Sequence, residues 1–168
     1  MEFYEVIKQR QSIRSYKSDS IPQESLDKIA EAVSDAPSAC NRQPWSFRIV
    51  LNEELKAKIC ECYKAEWLAE APAIIVALGN YETCWKRLEG TPITDLDMGI
   101  AMEHVVLAAA AEGLGTCWIC AYKQDEMNKA MNIITPWSAL AISPLGFPNE
   151  SPEPKKRKPL DEIFKVIE

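Results

Sequence analysis

One long apolar segment limits what this chain can fold into. From Ile100 to Ala111 the only polar side chains are those of Glu103 and His104, so a helix here is apolar on nearly all sides and must be buried on most of them. Thr94 is a good N-cap for this helix, and Gly113 is suited to ending it. In a chain of 168 residues, such a helix predicts a homodimer in which it is a long, buried interface helix.

The composition argues against several classes of protein. Hydrophobic residues make up 47% of the chain, too many for a disordered protein, and a single domain over residues 1–168 is expected. The formal net charge of −6 argues against a nucleic-acid partner. The N-terminal residues are acidic and lack an apolar signal-peptide core, and Asp95 and Asp97 interrupt the most apolar segment. We therefore expect no membrane partner and a cytoplasmic location.

The six cysteines do not predict a metal site. Without a secretion signal they are expected to be reduced thiols. Cys117 and Cys120 have CxxC spacing, but in a strand these positions point to opposite faces, which suits neither a metal nor a disulfide. With one histidine in the chain, a mixed Cys/His zinc site is poorly supplied. A thiolate site that adds Cys60 and Cys62 to this pair is kept as an alternative.

Basic residues form two islands in this acidic chain. Arg10 and Arg14 lie near the N-terminus, and four consecutive basic residues, 155–158, lie near the C-terminus. If Ser12 and Arg14 lie on an extended segment, their side chains share a face, where a hydroxyl and a guanidinium could hold phosphate and ring carbonyl oxygens. The alternative is that each island is a solvated charged surface.

A polar, proline-bounded loop follows the second predicted helix. Pro37 helps end that helix, and Pro44 disfavours helix at the residue before it. Between them, Asn41 and Gln43 each offer a hydrogen-bond donor and an acceptor. A ring that presents C=O, N–H and C=O along one edge would match these amides. The alternative is a set of turn hydrogen bonds within the loop.

Hydrophobic periodicity predicts alternating helices and strands in the rest of the chain. The helices are expected over residues 3–9, from Pro22 onward, from Glu53 to Tyr63 after the N-cap Asn52, over a turn at 65–70, and over 123–131. The strands are expected over residues 46–51, 73–79, 116–121 and 138–143. The last strand leads into a stiff turn over 144–148, where Gly146 would allow close backbone approach to a ligand.

Five motifs together resemble those of the nitroreductase family of FMN-dependent oxidoreductases. They are Arg10-Gln11-Ser12-Ile13-Arg14, the segment 37–45 (PSACNRQPW), the helix end Glu112-Gly113-Leu114-Gly115-Thr116, the segment 144–148 (PLGFP) and the basic run 155–159 (KKRKP). The motifs cover nearly the whole chain in the family's order. Gln11 stands where the family often has Arg or His, and the family's central insertion is reduced here.

The resemblance implies an α+β fold and two groups of cofactor-binding residues. The fold would be a three-layer α-β-α sandwich with a mainly antiparallel sheet, in a homodimer with FMN at the subunit interface. One subunit would supply Arg10, Gln11, Ser12 and Arg14. The other would supply Pro37, Ser38, Ala39, Asn41 and Gln43. Pro144, Leu145, Gly146, Lys155 and Arg157 would bind the cofactor as well.

The family's roles for these residues follow the parts of FMN. Arg10, Lys155 and Arg157 would bind the phosphate, and Ser12 would lie near the ribityl chain and ring. Arg14 would lie at the N1/O2 edge, where a fixed cation stabilises the charge that reduction creates. Pro144 to Gly146 would lie along the flavin face or its N5/O4 edge.

The implied function is an FMN-dependent oxidoreductase with NADH or NADPH as co-substrate. Hydride would pass to flavin N5, and the electrons would then pass to a small nitroaromatic or quinone-like acceptor in a ping-pong sequence. No catalytic side chain is required, because the flavin carries the chemistry. The alternatives are a reductive dehalogenase or flavin-fragmenting enzyme of the same fold, and a flavin-binding redox sensor that uses the thiols without turnover.

Overall fold

The computed structural model describes residues 2–168. Its helices and strands are α1 (Phe3–Gln9), α2 (Gln23–Ser34), β1 (Trp45–Val50), α3 (Glu53–Cys62), α4 (Glu66–Glu70), β2 (Ala73–Asn80), α5 (Thr94–Ala111), β3 (Gly115–Thr116), α6 (Gln124–Ala130), β4 (Trp137–Gly146) and α7 (Leu160–Ile163). A short 3-10 turn, Ala39–Asn41, lies between α2 and β1. Asn52 caps α3 as predicted, because its side chain accepts a hydrogen bond from the backbone N–H of Leu55.

The central sheet has the strand order β1-β2-β4-β3, and its strand pairs are antiparallel. β2 is buried along its whole length, as its continuous apolar sequence predicts. Ile74 and Val76 belong to the core on one face, whereas Ile75 and Ala77 belong to the core on the other. This alternation places a packed layer on each side of the sheet.

Helices form both outer layers. α2 and α5 cover one face through Ile29 and Met102. α3, α4 and α6 cover the other through Ile59, Leu68 and Met127. The predicted α+β fold, with helices on both sides of an antiparallel sheet, is confirmed. Among the described residues, none of the helices combines the length and the apolar character that crossing a membrane requires.

α5 forms as predicted, and one chain covers part of its surface. Met102 and Val105 are buried against the sheet, whereas Leu96 is 57% exposed. His104 Nδ1 lies 2.8 Å from the carbonyl oxygen of Ala32, so this histidine is hydrogen-bonded within the chain. That a second subunit covers the remaining surface of α5 stays a prediction.

Thr94 does not cap α5, contrary to the sequence prediction. Ile93 occupies the N-cap position without a side-chain hydrogen bond, and Thr94 is the first helical residue. Its side chain is packed against the sheet, because a Cβ added to Gly79 would come within 2.7 Å of Thr94 Cγ2. Packing between helix and sheet therefore decides its position.

The strand predicted over residues 116–121 is shorter than expected. Its ladder ends at Thr116, although Ile119 forms an isolated bridge to Ile142. The physical reason is local: the backbone N–H of Cys117 donates to the Ser143 hydroxyl at 3.0 Å instead of to a backbone carbonyl. The segment after Thr116 is therefore irregular.

The stiff turn predicted over residues 144–148 is also wrong at its start, because β4 continues to Gly146. Leu145 pairs with Ala73, and Gly146 pairs with Gly115. A Cβ on Gly146 would lie 2.5 Å from Cδ of Pro72. The close approach that this glycine allows is therefore to Pro72 of the same chain.

Candidate functional site

The two basic islands meet at one cavity. Arg10 is the C-cap of α1, and Gln11 follows it. Both line a cavity of about 660 Å³ together with Lys8, Lys155 and Arg157. The extended C-terminal segment thus brings its cations to the N-terminal island, as the resemblance implied. This arrangement favours an anionic ligand over a solvated surface.

Gln11 adds a second reason to expect a ligand at this cavity. Its side-chain oxygen, Oε1, is buried and has no hydrogen-bond partner among the described residues. Because an unpaired buried acceptor is costly, it calls for a donor from outside the chain. A ligand hydroxyl would meet this need.

Ser12 and Arg14 lie on an extended segment next to β3. The Ile13 backbone N–H donates to the Thr116 carbonyl at 2.9 Å, and the Ile13 side chain is buried. Burial raises the pKa of the Cys117 thiol, and the charge of Arg14 and a hydrogen bond with Ser12 oppose that rise. Both side chains are therefore close to one thiol, which agrees with the prediction that they share a face.

Arg14 is held from two further directions. Its backbone N–H donates to the Glu150 carboxylate, and its guanidinium carbon lies 5.8 Å from the centre of the Trp67 ring. These contacts leave its planar cation exposed beside Ser12. The arrangement can bind carbonyl oxygens of a planar ring.

The loop after α2 has an unusual backbone. Cys40, Asn41 and Gln43 have φ angles of 52°, 50° and 46°, in the left-handed region that non-glycine residues rarely adopt. Three such residues within four positions are costly and persist only where the surrounding structure holds them. Strain of this kind is common at ligand-binding sites.

Hydrogen bonds inside the loop support this conformation. The Gln43 backbone N–H donates to Ser38 Oγ at 2.9 Å, and Gln43 Nε2 donates to Asn41 Oδ1 at 3.1 Å. The turn bonds considered as an alternative reading of the loop are therefore present. These bonds leave some amide donors and acceptors of the loop free, because Asn41 and Gln43 are exposed and each amide can form further hydrogen bonds.

Asp97 anchors the loop to α5. It is 2% exposed, and its Oδ1 accepts the backbone N–H of Ala39 at 3.1 Å. Its other oxygen has no partner among the described residues. Because the Ala39 N–H already donates to Asp97, it is not free to donate to a flavin. The backbone contact predicted for Pro37–Ala39 would therefore use the other backbone groups of this segment. Sequence reasoning missed Asp97, although an aspartate in the first turn of an apolar helix is a detectable signal.

The two predicted groups of residues lie along different parts of α5, and the cationic cavity borders Glu103 near the middle of this helix. The loop contacts Asp97 in the first turn. Arg10 and Gln11 line a small cavity with Ala110 and Gly113 at the last turn. At 1.5 Å per residue, these ends of the helix are roughly 20 Å apart. One chain therefore does not bring the two groups together.

The structure does not place Pro144, Leu145 and Gly146 as open ligand contacts. All three are buried in β4. The segment beside Ser12 and Arg14 is instead the one that starts at Cys117. Sequence reasoning read this segment as a plain strand, although the Glu112–Thr116 motif immediately before it could have drawn attention to it.

Comparison with known proteins identifies the family. A sequence model described as the nitroreductase family matches residues 7–64 and 59–147. A solved nitroreductase family protein from Clostridium novyi NT is 37% identical, with a TM-score of 0.84 over 96% of this chain and 91% of that one. The chain belongs to the nitroreductase family, and its three-layer fold is that of the family.

Two curated relatives match nearly the whole chain. The FMN reductase (NAD(P)H) of Bacillus subtilis strain 168 is 30% identical and covers 95% of this chain and 72% of its own length. The iodotyrosine deiodinase of Thermotoga neapolitana is 25% identical and covers 96% of this chain and 95% of its own length. Relatives with two different names therefore share this fold.

Proposed function

We propose that the protein is an FMN-dependent oxidoreductase that takes hydride from NADH or NADPH and passes the electrons to a small organic acceptor. The acceptor would be nitroaromatic or quinone-like, and the kinetic mechanism would be ping-pong. The observation that carries the proposal is the meeting of Arg10, Lys155 and Arg157 at one cavity, with Ser12 and Arg14 on the extended segment that follows Arg10. Because the chain belongs to the nitroreductase family, we interpret this group of cations as a site for the FMN phosphate. We also propose a cytoplasmic location.

The residues at the cavity fit FMN. Its phosphate carries nearly two negative charges, which suits a cavity whose lining holds four cations, Lys8, Arg10, Lys155 and Arg157, and one carboxylate, Glu103. The unpaired buried oxygen of Gln11 suits a hydroxyl donor such as those of the ribityl chain. We assign the phosphate and the start of the ribityl chain to this cavity.

The remaining predicted residues fit the ring. When bound, FMN supplies the atom that accepts and releases hydride. Arg14 would hold a positive charge at the N1/O2 edge, and the Ser12 hydroxyl would bond nearby. Asn41 and Gln43 would bond to the polar ring edge of the partner's cofactor. We assign no proton transfer to a side chain.

A two-chain site follows from the geometry of α5. The loop contacts the first turn of this helix, whereas the cationic cavity borders Glu103 near its middle, and Arg10 and Gln11 also line a small cavity at its last turn. If two copies pack α5 against α5 in antiparallel fashion about a two-fold axis, the loop of each chain meets the cavity of the other. Apolar residues that a second copy would cover include Leu96, 57% exposed, and Phe164, 73% exposed. We therefore propose a homodimer with two FMN sites.

The second candidate is a reductive dehalogenase, which the likeness to a deiodinase favours. It would use the same cofactor residues and differ in its acceptor. The thiol-based sensor is less well supported at three of its thiols, because burial raises the pKa of Cys60, Cys62 and Cys117, whereas Cys40 and Cys120 are exposed. A raised pKa lowers the thiolate fraction that reacts with oxidants.

A visible spectrum and a steady-state assay test the proposal. We expect purified protein to show flavin absorbance, and to oxidise NADH or NADPH in the presence of menadione or nitrofurazone. Oxidation that depends on a 2-halophenol instead would favour the dehalogenase. Protein that binds no added FMN, or that keeps FMN but oxidises neither nicotinamide with any of these acceptors, would overturn the proposal.

A further inference from the structure

A second cavity, of about 390 Å³, lies away from the cationic one. It is lined mainly by Tyr81, Asp95, Met98, Trp118, Cys120 and Leu140. These residues come from the loop after β2, the first two turns of α5, the irregular segment after β3, and β4. None of them is among the cofactor residues discussed above. We call it the Tyr81–Trp118 pocket.

Aromatic groups form part of its wall. Trp118 is 40% exposed, and its Nε1–H donates to Cys120 Sγ at 3.1 Å, which fixes the direction of the indole. Met98 and Leu140 add flexible apolar surface. Such a wall suits a small planar ring, which can pack against the indole.

A phenol and a carboxylate give the pocket its polarity. Tyr81 Oη donates to Asp95 Oδ1 at 2.8 Å. Burial, together with this bond to Asp95, raises the pKa of Tyr81 to about 12, so the phenol stays a protonated donor at neutral pH. The cations of the candidate FMN site line the other cavity. Asp95 is therefore the charge that a ligand in the Tyr81–Trp118 pocket would meet.

The pocket lies beside the first turns of α5, where the loop is anchored, and Trp118 in its wall comes next in sequence to Cys117. Trp118 directly follows Cys117, the thiol beside Ser12 and Arg14. Asp95 and Met98 flank Asp97, which anchors the loop through Ala39. A ring in this pocket would lie next to the loop of its own chain, which the proposed dimer places at the flavin held by the partner's cationic cavity.

We propose that the Tyr81–Trp118 pocket binds the electron acceptor, and that Asp95 makes it select neutral or cationic planar acceptors over anionic ones. This inference rests on the proposed oxidoreductase function. A carboxylate at the pocket wall repels an acceptor's own carboxylate or phenolate, and partial exposure limits the effect to about three- to tenfold. The same charge would disfavour halophenolates.

Two acceptors that are similar in shape and differ in charge test the selectivity. For the FMN-loaded full-length protein, the ratio of kcat/KM for 4-nitrobenzoate to that for 4-nitrobenzamide should rise about three- to tenfold in Asp95→Asn. The amide oxygen of Asn can still accept the Tyr81 hydrogen bond, so the change is mainly one of charge. Added salt should reduce the effect.

Asp125→Asn is the matched control. Asp125 is an exposed acid in the first turn of α6, next to the pocket residue Gln124 but outside the lining. In this variant the ratio of kcat/KM for 4-nitrobenzoate to that for 4-nitrobenzamide should stay at the wild-type value. An unchanged ratio in Asp95→Asn, or an equal rise in Asp125→Asn, would overturn the inference. So would a loss of FMN affinity in Asp95→Asn, because the pocket would then hold the cofactor.

A binding measurement separates failure of this inference from failure of the proposed function. Equilibrium dialysis of 4-nitrobenzamide needs no turnover. Trp118→Ala, at a partly exposed position, should weaken that binding severalfold without changing the thermal unfolding midpoint. Binding equal to that of the wild type would overturn the pocket assignment even in an active enzyme. Weakened binding in a protein without NAD(P)H oxidation would support the pocket alone.

Discussion

Arg14 is an exposed cation on a fixed backbone. Its N–H is bonded to Glu150 and its guanidinium lies over Trp67. We expect Arg14→Ala to weaken FMN binding about ten- to a hundredfold, because charged hydrogen bonds are lost. It should also lower the flavin midpoint potential, because the charge that forms on reduction loses its partner. FMN titration and redox titration measure the two effects.

Arg48→Ala is the control for this prediction. Arg48 is also exposed, and its Nη1 donates to the Met131 carbonyl oxygen at 3.4 Å, outside both groups of candidate residues. Its removal should leave the FMN affinity and the potential unchanged. An Arg14→Ala protein with wild-type affinity and potential would contradict the role assigned to Arg14.

Asp97 is one of the residues that hold the strained loop, because it accepts the Ala39 backbone N–H. In Asp97→Ala the Ala39 N–H loses its acceptor, which costs about 1–3 kcal/mol, and the left-handed residues lose their anchor. FMN affinity should fall. Asp97→Asn keeps an acceptor oxygen and should therefore retain most of the FMN affinity. Fluorescence titration with FMN is the measurement, and equal losses in the two variants would show that the hydrogen bond does not position the loop.

The residue scale also shows what sequence could predict. Arg10, Ser12 and Arg14 can be proposed as site residues from sequence, because their chemistry is in the residue type and their spacing is short. Asp97 was missed, because its role depends on a contact with Ala39, 58 positions away in the chain. Thr94 was misassigned for a similar reason, since its packing against Gly79 replaces capping.

Among the elements, β3 is the support of the Ser12–Arg14 segment. A Cβ on Gly115 would lie 2.7 Å from Ile13 Cγ1 and 2.9 Å from Ile13 Cβ. Gly115→Ala should therefore displace Ile13, and overpacking should destabilise the fold by about 1–3 kcal/mol. FMN affinity should fall as well, because Ser12 and Arg14 flank Ile13. Thermal unfolding and FMN titration check the two effects.

A double-mutant cycle tests whether Ile13 is the cause. Ile13→Ala removes Cγ1 and Cγ2, which the new methyl group would approach to 2.7 and 3.0 Å, and leaves only Cβ at 2.9 Å. In the Gly115→Ala/Ile13→Ala protein the destabilisation should be smaller than the sum of the single effects. Additive effects would mean that Gly115 is required for another reason, such as its pairing with Gly146.

Element type was easier to predict than element ends. The apolar run 73–79 became β2, because a strand packed on both faces needs a continuous apolar sequence. The proline at 144 suggested a turn, yet this residue lies in β4 opposite Ile74. The pairing of strands distant in sequence decides where β4 ends, and local sequence does not contain that information.

For the whole molecule, complementation between two defective chains tests the two-chain site. One chain carries Arg10→Ala and Arg14→Ala, and the other carries Asn41→Ala and Gln43→Ala. Each homodimer has defects at both sites. In a mixed dimer one site combines all the defects, whereas the other combines the intact cationic cavity of one chain with the intact loop of its partner.

Random mixing of these chains should therefore restore about one quarter of all sites to wild-type FMN affinity. The variants are mixed by refolding together, and FMN is titrated by fluorescence. Refolding the wild-type chain alone is the control for recovery. If the cavity and the loop served the same site within one chain, every site would keep a defect and mixing would restore none. That result would overturn the two-chain site while leaving the family assignment intact.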